Sequence, residues 1–138
     1  MTAPYPLSVE LGKVREFARA TGITDPGYLE DPAPHIPPTF LRTVLFWRPD
    51  DWVSPLDALN LDPKRSLHGE QEFEFFGPPP RAGAELTVHT RLESVTEKQG
   101  RRGGTMKFIV VVEDFVDADG KLVARGRTTG IETGQAQQ

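Results

Sequence analysis

The 138-residue chain has no cysteine. Disulfide frameworks, thiolate-held zinc and a cysteine nucleophile are therefore excluded. It also lacks any run approaching the ~18 consecutive apolar residues that a membrane-spanning helix needs. The first dozen residues hold two prolines and no basic segment leading into an apolar run of secretory length. The expectation is a cytoplasmic chain with no membrane partner. Charge of one sign is missing as well, since 16 Lys and Arg face 20 Asp and Glu for a net charge of −4 with no basic stripe. That balance argues against nucleic acid as a partner. No P-loop, dinucleotide fingerprint or nucleophile elbow occurs. The length suits one domain, which buries roughly two-thirds of its unfolded surface. An enzyme subunit, a small-ligand binder and an interaction module remain open.

Proline is absent beyond Arg81, yet the chain holds 13, about twice the usual ~5%. Apart from Pro4 and Pro6, all of them fall between Pro26 and Pro80, so the chain divides into an irregular front and a regular back. In the front, Val14, Phe17, Ala18 and Thr21 recur at helical spacing with Gly22 placed as a C-cap, which predicts a helix over 9–21. Asp25-Pro26-Gly27, Asp31-Pro32 and Pro34 then discourage helix. The apolar run from Leu41 to Trp47 fits strand or helix alike. Ser54-Pro55-Leu56-Asp57 reads as a helix start, with Ser54 as N-cap and Asp57 in the first turn.

The back half predicts antiparallel sheet. Gln71 to Phe75 and Glu85 to Val95 alternate polar and apolar residues, the latter with Leu86, Val88, Thr90 and Leu92 on one face. Thr105 to Phe115 is apolar on both faces, which suggests a central strand covered on both sides. Asp117-Ala118-Asp119-Gly120 reads as a hairpin turn before a last strand, Leu122 to Glu132. The class is α+β.

Candidate chemistry starts with the three histidines. His89, on the polar face of a strand, reads as a surface residue, and His35, within Pro34-His35-Ile36-Pro37, as a loop residue. His68, in Leu67-His68-Gly69-Glu70-Gln71, is either a backbone-bonded histidine or a titratable group at the mouth of a strand. Asp117-Ala118-Asp119-Gly120 lacks the downstream acid of a calcium loop, so the turn reading stands. Lys98-Gln99-Gly100-Arg101-Arg102-Gly103-Gly104 either connects two strands or presents Arg101 and Arg102 to phosphate, whose oxygens match the guanidinium fork.

The order of these pieces resembles the MaoC-like hydratase/dehydratase families of the hot-dog fold, and within them the N-terminal, non-catalytic type of half. The matching segments are Val14 to Gly22, Ile36 to Phe40, Leu67 to Phe73 and Gly83 to Thr129, which together cover most of the chain. The resemblance implies one hot-dog domain over residues 1–138, an antiparallel sheet wrapped around a shortened or irregular central helix. The catalytic half of the family carries Gly-Asp-x-Asn-Pro-φ-His, whose Asp and His handle the water added to or lost from an acyl thioester. Here Gly22 and Pro26 match, but Ile23 stands at the Asp, Asp25 at the Asn and Tyr28 at the His. Isoleucine moves no proton, and a tyrosine with a pKa near 10 is a poor base at neutral pH.

The resemblance therefore implies a subunit without catalytic residues of its own. Such a chain would accommodate the acyl group of an (R)-specific enoyl-thioester hydratase or 3-hydroxyacyl-thioester dehydratase. It would work with a catalytic MaoC-like partner, as a homo- or heterodimer of hot dogs, on acyl-CoA or on an acylated carrier protein, and needs no cofactor. Phe40, Val44, Phe46 and Trp47 are the expected groove-lining residues, with an ordinary core role equally open to each. Arg101 and Arg102 are expected near the carrier phosphates, and His68, Glu70 and Asp25 are the fallback catalytic groups. A stand-alone homo-oligomeric acyl-thioester binder is the alternative. A thioesterase ranks lower, because Asp50, Asp51 and Asp57 each sit naturally in a turn or cap.

Overall fold

A computed structural model describes residues 2–134. Five antiparallel strands form one sheet: β1 (Tyr5–Ser8), β2 (Ser66–Phe75), β3 (Glu85–Gln99), β4 (Thr105–Val116) and β5 (Leu122–Glu132), in the order β1-β3-β4-β5-β2. Two helices, α1 (Leu11–Ala20) and α2 (Pro26–Leu29), and a 3-10 helical segment over Phe40–Trp47 occupy the chain between β1 and β2. Among the described residues, no helix is long and apolar enough to cross a membrane.

The register explains the core. Tyr5 lies opposite Val88, Val88 opposite Phe115, Phe115 opposite Ala124 and Ala124 opposite Phe75. Directly opposed residues project from the same side of a sheet, so this row crosses all five strands on one face. That inner face meets Val14 of α1 and Phe40, Leu41 and Val44 of the 3-10 segment in one cluster. Phe17 and Phe40 join the two elements edge to face at 5.6 Å, an arrangement aromatic quadrupoles favour.

The expectation of a central strand holds for β4, but not the expectation that both its faces are covered by other elements. The outer face carries ion pairs instead: Arg91 and Arg125 both reach Asp114, at 2.6 and 2.5 Å, and Arg127 reaches Glu93 at 3.1 Å. Val112 is nevertheless fully buried there. In register it lies between Arg91 and Arg127, and long arginine stems bury apolar surface while keeping their charge in water. His89 is exposed on this side, as its strand position implies.

Proline accounts for the missing long helix. The 3-10 segment opens with Phe40 N–H donating to Pro37 C=O at 3.0 Å. At its other end Arg48 is already extended, with ψ of 128°, the conformation that a following proline, Pro49, imposes. Ser54 and Asp57 do make a cap-like turn, with Ser54 N–H donating to Asp57 Oδ2 at 3.0 Å and Leu56 N–H to Ser54 Oγ at 3.2 Å. Only the single turn Asp57–Leu59 follows it.

Candidate functional site

The point where the resemblance places the acid and base lies just after α1. Gly22, with φ of +79°, donates to Arg19 C=O at 3.1 Å, and Ile23 N–H reaches back to Ala18 C=O at 2.8 Å. These two bonds form a Schellman cap, in which the residue after the left-handed glycine is commonly apolar. Ile23, half-buried, therefore keeps the backbone role of its position and has no group that exchanges a proton. Asp25 Oδ1 accepts from Gly27 N–H at 2.7 Å and so caps α2, with Pro26 at its first position. Its carboxylate is engaged in a turn. Tyr28 is half-buried within α2.

The other candidates are spread apart. Phe40 and Val44 are fully buried in the core, Trp47 is partly buried against it, and Phe46 is 79% exposed. Phe46 thus stands apart from the other three, which share one cluster. Arg101 and Arg102 lie in the exposed turn between β3 and β4, which is closed by Gly100 N–H donating to Gly104 C=O at 3.0 Å. Asp57 is engaged by Ser54 N–H, while Asp50 and Asp51 are exposed. His35 Nδ1 lies 2.7 Å from Pro79 C=O and ties the loop to the chain before β3.

What the fold does build is a cleft between the inner face and the chain from Thr39 to Ser66. An apolar cavity of about 320 Å³ is lined by Leu56, Leu61, Ile109 and Val111, with His68 and Thr128 at its side. A smaller cavity of about 130 Å³ shares Leu56, Val111 and Thr128 with it and adds Arg48, Thr90 and Glu113. A third hollow, open to solvent, is lined by Phe17, Thr39, Arg42, His68, Gln71 and Phe73. His68 thus borders two of the three.

The small cavity brings buried polar groups together. Glu113 is 3% exposed and accepts from Arg48 Nη2 at 3.0 Å. The Arg48 guanidinium also sits 4.4 Å from the centre of the Trp52 ring, which packs edge-on against Tyr5 at 5.7 Å. Burial raises the Tyr5 phenol above its ordinary pKa. Arg48 and Thr90 pull the other way, yet the Tyr5 hydroxyl meets neither in good hydrogen-bond geometry. No motif marks this group, although β4 carries a signal for it. Positions 109, 111, 113 and 115 share the inner face, and Glu113 is the one charge among Ile109, Val111 and Phe115.

The model of the FAS1-like dehydratase domain region matches residues 1–126 of the chain. The chain belongs to this family. A UPF0336 protein of Streptomyces coelicolor is 36% identical over 135 residues, covering 90% of this chain and 87% of that protein. A second, from Parafrankia, is 32% identical over 145 residues, covering 98% and 90%. Among solved structures, a MaoC-like dehydratase superposes with a TM-score of 0.76 at 25% identity, over 96% of this chain and 41% of its own. The HadBC 3R-hydroxyacyl-ACP dehydratase complex from Mycobacterium tuberculosis gives 0.69 at 23% identity, covering 94% and 95%. The hot-dog fold of the FAS1-like dehydratase domain region is thus the fold of this chain, with a 3-10 segment where a central helix would lie.

Proposed function

We propose that this chain is the acyl-accommodating, non-catalytic subunit of an enoyl-thioester hydratase or 3-hydroxyacyl-thioester dehydratase, and that a MaoC-like partner supplies the Asp and His. The observation that carries the proposal is the pair Ile23 and Tyr28. The resemblance puts them at the family's acid and base positions, and there Ile23 closes a Schellman cap and Asp25 is held as the cap of α2. The local backbone is ordered and the proton-transfer groups are gone. An apolar cavity of about 320 Å³ on the inner face suits an acyl tail. Binding energy from that remote tail would orient the reacting end at the partner's residues. Two of the structural neighbours, HadBC and ChsH1-ChsH2, are complexes of two differently named subunits, which supports pairing with a second hot dog.

The alternative reading, a stand-alone homo-oligomer, draws on His68, a titratable side chain on the border of two cavities. Co-expression with a MaoC-like protein bearing the intact motif, followed by mass measurement of the purified species, separates the two. The proposal expects a stable hetero-complex. A chain that stays with its own copies alone in the presence of such partners supports the alternative.

A further inference from the structure

β2 ends the sheet: it pairs with β5 on one side, and among the described residues no strand pairs with its other side. Its first five residues, Ser66 to Glu70, are all exposed. An edge left in this way presents a row of backbone donors and acceptors that readily takes another strand. β1, at the opposite end of the sheet, is only four residues long and carries Pro6 within it. β2 has ten residues and no proline. Its inner side is apolar and incompletely covered, since Phe73 and Phe75 are half-buried and the hollow lined by His68, Gln71 and Phe73 opens to solvent. A strand added here would extend the wall of that hollow.

Which strand can be added is decided on the outer side. Beyond the register shift at Gly69, Glu70, Glu72 and Glu74 alternate with Gln71, Phe73 and Phe75, so the three acids share the outer side of the edge. The arginines of β5 are already engaged. Arg127 divides itself between Glu72 at 2.9 Å and Glu93 at 3.1 Å, and Arg125 is held by Asp114. Glu70 and Glu74 make no side-chain hydrogen bond or ion pair among the described residues. Two copies of β2 brought together antiparallel about a two-fold axis would keep each face of the sheet continuous, so outer residues would meet outer residues. With Glu72 opposite its own copy, Glu70 would meet Glu74. Sliding by two residues either way would set Glu70 opposite Glu72, or Glu72 opposite Glu74. Each of these registers opposes glutamates, and like charges directly opposite destabilise a strand pair. Resting on the reading above that the chain works with a second hot dog, we infer that the β2 edge is the surface where it does so and that the acid row selects the occupant. The strand that fits is the edge strand of a different hot-dog chain with Lys or Arg at alternate outer positions, in preference to a second copy of this one.

The test uses the full chain and, as a stand-in for a basic partner, its own double variant Glu70→Lys with Glu74→Lys. Both side chains are exposed and neither gives up a hydrogen bond or ion pair, so the fold is kept. Each form alone opposes like charges across a β2 pair, whereas in an equimolar mixture the new lysines meet glutamates. Analytical ultracentrifugation at low salt is expected to show a mixed dimer about tenfold or more tighter than either self-pair, the return from two opposed pairs turned from repulsion to attraction. Hydrogen exchange of the amides of residues 66–75 is expected to slow in the mixture. High salt is expected to weaken the mixed dimer and to strengthen the self-pair, because screening acts on attraction and repulsion alike. A self-pair of the unaltered chain as tight as the mixed dimer and equally protected in β2 overturns the inference, and so does a mixture that forms no dimer. The same exchange measurement on the unaltered chain with a MaoC-like protein bearing the Asp and His motif needs no variant. A complex that forms and leaves exchange in β2 unchanged overturns the inference while the reading above stands. The absence of any such complex overturns that reading, and the inference with it.

Discussion

His68 and Glu70 are two residues apart on β2 and project from opposite faces of the sheet. The register shifts between them, so that His68 lies opposite Gly130 and Glu70 opposite Thr129, neighbours on β5 that point to opposite sides. His68 borders the inner cavities, and Glu70 faces the outer surface. The irregularity falls at Gly69, and a bulge of this kind re-aims the side chains on either side of it. The two residues cannot form an acid–base pair. His68→Trp, which fills cavity space, is expected to weaken binding of dodecanoyl-pantetheine by about tenfold or more, roughly 1.4 kcal/mol. Glu70→Gln is expected to leave it unchanged. Calorimetric titration of the two variants checks this.

Gly69 has no room for a side chain. A Cβ there would lie 2.7 Å from Ile131 Cδ1 and 3.2 Å from the Thr129 carbonyl oxygen. The isoleucine tip can swing aside but the backbone oxygen is held in the ladder. Gly69→Ala is expected to cost about 1–2 kcal/mol, in the range of mild overpacking. Urea unfolding reads this as a lower midpoint at an unchanged slope.

The ion pair of Arg48 and Glu113 gives an asymmetric prediction. Glu113 has only 4% of its side chain exposed, against 28% for Arg48. Arg48→Met strands a buried carboxylate, which costs about 3–5 kcal/mol when a partner is simply removed. Replacing both, Arg48→Met with Glu113→Leu, is expected to recover most of that loss, because the apolar pair needs no compensation. A double-mutant cycle by denaturant unfolding measures the coupling.

Acid should loosen the paired carboxylates Asp114 and Glu132. Burial alone would raise the Asp114 pKa, but hydrogen bonds and charge from Arg125 and Arg91 outweigh it and hold the carboxyl below its ordinary value. Glu132 is lowered too, chiefly by the Asp62 N–H that donates to it at 2.7 Å, with burial opposing and Arg65 and Lys107 assisting. A carboxylate with a depressed folded pKa binds protons more weakly than it does unfolded. Its stabilisation is therefore full above the unfolded value, 3.8 for Asp114 and 4.5 for Glu132, and is lost as pH falls through the folded value. Unfolding midpoints measured from pH 7 to pH 2 should drop across the acid end. Asp114→Asn should lower stability at pH 7 and flatten that drop.

How much of this was written plainly in the sequence depends on which interaction fixed each element. β5 runs over Leu122–Glu132, the bounds its pattern implies, because a turn residue set precedes it. The helix predicted over 9–21 is shorter, Leu11–Ala20. Val9 instead exchanges backbone hydrogen bonds with Ala84 and Gly83 at the sheet edge. β1 escaped notice because Pro6 lies within it, and proline is tolerated only where one side of a strand needs no partner. The first half of β2 was missed because Ser66 to Glu70 has no alternation to read, being interrupted by the bulge. Ile23 and Tyr28 were legible, since they depend on residue identity alone. The polar pocket was not, because Arg48, Thr90 and Glu113 come from separate parts of the chain and meet only through the register of β3 on β4 and the turn at Pro49.

The central claim is that the chain binds the acyl group and leaves the chemistry to a partner. Hydration of crotonyl-CoA and of a long-chain enoyl-CoA by the purified full-length chain, alone and mixed with a MaoC-like protein bearing the Asp and His motif, tests it most directly. The account predicts no turnover by the chain alone and a gain with the partner that is larger for the long substrate. Robust hydration by the isolated chain, abolished by His68→Gln, would contradict it.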